Sequence, residues 1–338
     1  MQPTARTLGT VVTAHVDTWR PYTSCYIGLV GLAGASLASA SASGSFVTLR
    51  LAAAWGIPTL AWLAGLYGGD WFDRELDAVS KPHRPIPSGR ISAGTALGTM
   101  IVLIAVSGVT SVLLQWHTLL IVAAAVVIGL SYNGFFKARG LVGNLVRGSL
   151  TGLVVVFGAL LVSDRISAVV LGAAVVFALH DSASNLVGTL RDVDGDLSGG
   201  YRTFPVVHGL PAGVNVVTTL VATWTVLAFA VGLGDVGGVG LSTVVLFTAA
   251  LAMAWFVVGR LISVRTHLTR RLAYRMHEVL CLERLTLAAA AIAYGGHPLL
   301  AACTWVPAVV VTGYSQTALR ARHEFGVEPD TRQVAVVS

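Results

Sequence analysis

The chain has 338 residues, 55% of them hydrophobic and only 11% charged, with a mean hydropathy of +0.76 and a formal net charge of +6. A soluble domain carries about 25% charged residues, so this composition excludes one and describes a polytopic membrane protein. Cys25, Cys281 and Cys303 lie in or beside apolar runs with no close pairing, which excludes a disulfide framework and a zinc spacing.

Residues 1–20 are polar and mixed, lack a signal peptide's apolar core and cleavage site, and read as a cytoplasmic N-terminal segment. Apolar runs near the roughly 20 residues of a spanning helix follow. They lie at about 22–43, 47–68, 92–114, 117–134, 141–162, 166–188, 211–233 and 239–262. Two more, 282–296 and 298–319, flank Gly295-Gly296-His297-Pro298, a break that either ends one helix or kinks a longer element. The expected fold is all-α: nine or ten transmembrane helices over residues 21–320, in two pseudo-repeated four-helix halves, followed by a polar tail, 321–338. With the N-terminus inside, nearly all basic residues from Arg6 to Arg284 fall on the cytoplasmic side, and only Arg50 and Arg165 fall outside. The positive charge is then topology in a cell membrane, and no nucleic-acid partner is implied. Arg139 and Arg147 read as part of this positive-inside loop pattern. Residues 260–284 are basic with apolar positions at helical spacing, and read as an interfacial helix on the anionic inner leaflet.

Two charged stretches stand out from this apolar background. Residues 69–90, GDWFDRELDAVSKPHRPIPSGR, place Asp73 and Asp77 four apart, with Asp70 a turn earlier, so a helix would carry all three on one face. Three carboxylates there repel unless a cation lies between them. An incomplete oxygen cage is what Mg²⁺ uses when phosphate oxygens and waters complete its shell. A solvated loop is the plainer explanation, but the pattern recurs. Asp192 and Asp196 repeat Asp73 and Asp77 at an offset of 119 (192 − 73 and 196 − 77), and Arg202 repeats Arg84 at 118. An internal repeat closing two apolar hairpins argues against chance. Ahead of the second stretch, His180, Asp181, Ser184 and Asn185 interrupt an apolar run. Intramembrane Asp181 is a functional candidate, or else a buried residue paired with His180 or Ser184. Tyr67, Trp71, Phe72, Phe135 and Phe136 flank the motifs as candidate aromatic faces for a cation.

These residues resemble the UbiA superfamily of intramembrane prenyltransferases. The first stretch is similar to its N-D-x-x-D-x-x-x-D motif followed by K-P-x-R-P, the second to its D-x-x-x-D motif, and SYNGFFK to its tyrosine–lysine element. The resemblance implies a helical bundle around a lipid-open cavity that binds a prenyl diphosphate through Mg²⁺. It makes Asp70, Asp73, Asp77, Asp192 and Asp196 metal ligands, and Lys81, Arg84, Tyr132, Lys137 and Arg202 diphosphate contacts. Lys137 and Asp181 are the expected catalytic residues, with His180 and Asn185 facing a hydrophobic or aromatic acceptor. Gly69 departs from the family's Asn, removing one oxygen ligand. The expected reaction is transfer of an isoprenoid chain to an aromatic or lipid-like acceptor. A terpene cyclase of the same fold is the alternative, and a transporter, suggested by the repeat, is less favoured.

Overall fold

The computed structural model describes residues 8–39, 47–232 and 240–320; the polar tail 321–338 and Arg6 lie outside the described residues. The chain runs through helices α1 (Leu8–Trp19), α2 (Pro21–Ala38), α3 (Val47–Phe72), α4 (Arg74–Ser80), α5 (Ala93–Leu114), α6 (Thr118–Gly134) and α7 (Gly140–Val162). It continues through α8 (Ala168–Arg191), α9 (Val193–Ser198), α10 (Phe204–His208), α11 (Leu210–Ala230), α12 (Leu241–Ser263), α13 (Arg270–Tyr294) and α14 (Pro298–Ser315). Helix starts follow local chemistry. Ser92, Ser167 and Thr269 accept hydrogen bonds from Thr95, Val170 and Leu272 backbone N–H groups, while Pro21, Pro211 and Pro298 open helices that need no donor there.

Among the described residues, seven helices are long and apolar enough to cross a membrane, and α6 is a shorter apolar one. One expectation changes, and one open alternative is decided. Residues 260–284 do not form one interfacial helix: α12 runs to Ser263, the chain turns, and α13 begins at Arg270. The second half of α13 is buried, Glu283 and Arg284 included, because it packs against α2, α8, α12 and α14. The glycine-rich break at 295–298 separates two helices rather than kinking one.

Helix α2 lies between α3 and α7, and glycines set its distance from both. A Cβ on Gly31 would stand 1.9 Å from the Ala54 carbonyl oxygen, and one on Gly158 would stand 2.0 Å from the Gly31 oxygen. Backbones this close exclude even a methyl group, the small-residue packing used where lipid offers no hydrophobic drive. Gly158→Ala should therefore cost about 1–3 kcal/mol and lower the detergent-solubilised melting temperature. Gly98→Ala, with nothing within 4 Å of its added Cβ, should leave it unchanged. Equal melting of the two variants would refute the packing argument.

Candidate active site

The two acidic stretches are built the same way. Helix α3 ends at Phe72, Asp73 is a turn residue at the edge of the helical region (φ −84°, ψ 0°), and α4 follows. Helix α8 ends at Arg191, Asp192 sits likewise (φ −99°, ψ 11°), and α9 follows. Backbone hydrogen bonds carry the turn across each junction: Asp77 N–H donates to the Asp73 carbonyl at 2.7 Å, and Asp196 N–H to that of Asp192 at 2.8 Å. Each pair of carboxylates thereby keeps one face. The residue seven positions on then donates to the second carboxylate. Arg84 donates to both Asp77 oxygens at 3.0 and 2.8 Å, and Thr203 Oγ1 donates to Asp196 Oδ2 at 3.0 Å. The repeat thus holds at 119 for the donor as well, so Thr203 is Arg84's counterpart. Arg202 is exposed and lies outside the cavity described next.

Both stretches line one cavity of about 530 Å³. Asp70, Asp73 and Asp77 are 4%, 8% and 3% exposed, and burying carboxylates so completely requires cations. Arg20 pairs with Asp70, Lys137 with Asp73, Arg84 with Asp77, and Arg191 with Asp192 at 2.5 Å. Tyr201 also donates to Asp73 at 3.3 Å. Burial alone would raise the Asp73 carboxyl, but Lys137 beside it outweighs that and holds it below the usual carboxylate range. For Asp196, burial first, then Asp192, outweigh the Thr203 hydrogen bond and the weaker pull of Lys137 and Lys81, and push it up to about 6. A parallel backbone bridge joins Arg139 to Arg202 and Gly140 to Thr203, tying the Lys137 segment to the second motif.

Residues 27–279 match the model of the UbiA prenyltransferase family. The chain belongs to that family. It is 34% identical over 197 residues to a digeranylgeranylglyceryl phosphate synthase of Natronomonas pharaonis, covering 57% of this chain and 68% of that one. The synthase of that name from Thermococcus kodakarensis is 29% identical over 250 residues, 71% of this chain and 87% of the relative. Among solved structures, a UbiA homologue from Archaeoglobus fulgidus bound to DMAPP and Mg²⁺ aligns with a TM-score of 0.64 at 14% identity, covering 90% and 99% of the two chains. At that identity the likeness shows the fold. Family membership makes the protein a prenyltransferase and sets the transporter reading aside.

Within this UbiA fold, Lys81, Tyr132 and Asn185 also line the cavity, Asn185 accepting from Asn144 at 2.7 Å. Asp181 lines it too, but its carboxylate is engaged: Arg147 donates at 2.9 Å and Thr151 at 3.0 Å. Arg147 is therefore not a loop cation of the positive-inside pattern. His180 does not line the cavity. Adjacent helical residues point about 100° apart, so a helix that aims Asp181 inward turns His180 away. His180 instead binds Glu283 at 2.6 Å and stacks edge-on against Trp224. The five expected aromatic faces also lie elsewhere; Tyr67 accepts from Trp19 at 2.9 Å, and Trp62, Tyr132, Phe157 and Tyr201 line the cavity instead. Sequence reading missed Arg20, Arg147, Arg191, Tyr201 and Arg284 as cavity residues. Arg20 had no signal; it stands at φ 46°, a left-handed conformation at the junction of α1 and α2. Arg147 and Arg284 had one, because ionisable groups within apolar runs face cavities.

Proposed function

We propose that this chain transfers an isoprenoid chain from a prenyl diphosphate to a lipid-like acceptor within the membrane, with Mg²⁺ held by its two aspartate motifs. The observation that carries the reading is the pair of like-built Asp-x-x-x-Asp caps sharing one cavity with Lys81, Arg84 and Lys137. The relatives' names favour an acceptor of glyceryl phosphate type over an aromatic one, and the homologue bound to DMAPP and Mg²⁺ supports the donor class.

The donor set fits the ion. Asp70 Oδ2 is buried without a hydrogen-bond partner among the described residues, and Asp196 resists ionising beside Asp192. Among those residues no three metal-binding side chains converge on one point, which suits an ion that completes its shell with phosphate oxygens and water. When bound, Mg²⁺ neutralises charge growing on the departing diphosphate. The chain's own residues supply the rest. Lys137 and Arg84, now on Asp73 and Asp77, would exchange those carboxylates for phosphate oxygens. As the allylic C–O bond breaks, its electron pair passes to the diphosphate, where these cations stabilise it without reorganising. Asp73 keeps Lys137 charged despite burial, which alone would discharge it. The apolar remainder of the cavity, with Trp62 and Phe157, keeps water from the allylic carbon and offers it aromatic faces.

Membranes incubated with labelled prenyl diphosphates, Mg²⁺ and alkylglyceryl phosphate should yield a labelled ether lipid, and excess EDTA should abolish it. A cyclic hydrocarbon formed without acceptor would replace this reading with the cyclase one.

For topology we propose ten crossings, α2, α3, α5 to α8 and α11 to α14, the first eight forming two halves of four. Both motifs then face the cytoplasm. In a cysteine-free background, single cysteines at exposed Ser88, Ser198 and Thr269 should label from the cytoplasmic side, and one at exposed Asp164 from the other. Mixed labelling within the first three would refute this orientation.

A further inference from the structure

We infer that Arg284 anchors an oxyanion subsite inside the cavity that takes the acid group, carboxylate or phosphate ester, of the acceptor; this rests on the prenyltransferase reading above. Helix α13 presents Arg270, His277 and Arg284 to the cavity. Spaced seven apart, they form one stripe along two turns per step, about 21 Å long at 1.5 Å per residue. The last of them is the unusual one. Arg284 is 4% exposed, and its Nε and one Nη have no hydrogen-bond partner among the described residues. Its guanidinium carbon stands 4.8 Å from the Tyr26 ring centroid, a contact that offsets only part of a buried charge.

The nearby carboxylates do not pair with it. Glu283 Oε2 is held by His180 at 2.6 Å, and Asp181 by Arg147 and Thr151. Glu283 Oε1, buried without a hydrogen-bond partner, makes no ion pair with Arg284 among the described residues. An unpaired guanidinium at this depth is expensive to keep. A ligand bringing the counter-charge relieves that cost, and the planar fork of arginine matches a carboxylate or phosphate in two parallel hydrogen bonds.

The diphosphate is not that ligand. The His180–Glu283 bond puts the start of the Arg284 side chain near the part of α8 twelve residues before Asp192. That is about 18 Å along the helix, too far for one diphosphate to span. Side chains on α13 lean toward its N-terminus, the end nearer the motifs, so Arg284 reaches back toward the reacting carbon. A second substrate lying along the cavity fits between. Thr23, Ser184 and Asn185 line the same cavity as further polar contacts. Arg284 also lies outside the 27–279 family match, so this selectivity feature is separate from the two-motif pattern.

The test uses purified full-length chain and three amphiphiles: hexadecyl phosphate, 4-hexadecyloxybenzoate and hexadecanol. The wild type should bind at least one anionic probe about tenfold more tightly than hexadecanol, as a bidentate charged contact predicts. The stronger of the two identifies the acid. Arg284→Met should reduce that preference to within about twofold, and Arg284→Lys should keep part of it. The ligand-free Arg284→Met protein should also melt above wild type, since an uncompensated buried charge is gone. Binding of a non-hydrolysable prenyl thiodiphosphate with Mg²⁺ should be unchanged in Arg284→Met. No anionic preference in the wild type, or its survival in Arg284→Met, overturns the subsite. So does a lowered melting temperature with hexadecanol binding also lost, which marks a structural role. Failure of the wild type to bind the thiodiphosphate would instead overturn the prenyltransferase reading and leave the anion preference as an independent result.

Discussion

Asp73→Asn should lower prenyl-diphosphate turnover at least about a thousandfold, because it removes a ligand charge without changing volume. Two losses combine at this position. On the proposed reading the metal would lose a formal charge from its shell, and Lys137 loses the carboxylate that holds it in place and charged. Asp192→Asn should act similarly, since the second motif repeats the first cap in backbone geometry and carboxylate spacing. The double variant should be little worse than either single one, because both motifs act on one diphosphate and such effects do not add. Initial rates at saturating Mg²⁺, with unchanged elution from size exclusion, make the measurement. Either single variant remaining within tenfold of wild type would end the two-motif mechanism.

Asp181→Ala should destabilise the protein by about 3–5 kcal/mol, the usual consequence of stripping one partner from a buried charge pair. Arg147, only 12% exposed at its side chain, would be left with its Trp62 stacking contact at 4.5 Å and no carboxylate. Removing both charges together, as Asp181→Leu with Arg147→Met, should recover most of that loss, and a double-mutant cycle of melting temperatures would measure the coupling. This prediction departs from the role of acceptor base. A carboxylate already accepting from Arg147 and Thr151 has its Oδ2 engaged by both and positions the wall of the cavity. If Asp181→Asn instead melts like wild type, slows transfer and releases prenyl alcohol, the base role returns.

The sequence alone determined the class, the helix-forming runs and the two motifs. Hydropathy works in membranes because a backbone in lipid must satisfy its own hydrogen bonds, which leaves only helices or closed barrels for such runs. The five aspartates, Lys81, Arg84 and Lys137 were legible because charge is costly in an apolar chain and their spacing repeats. What folding decided was direction and partnership. His180 and Asp181 are neighbours in sequence, yet one faces Glu283 and the other the cavity, because the helix turns by about 100° between them. Thr203, not Arg202, stands for Arg84, since a hydrogen bond rather than a like residue type carries the repeat. Arg20 reaches Asp70 from fifty residues away, and Glu283 reaches His180 from more than a hundred. No local pattern encodes such pairs. They exist because helix packing brings together charges that cannot be solvated by lipid and must therefore find one another.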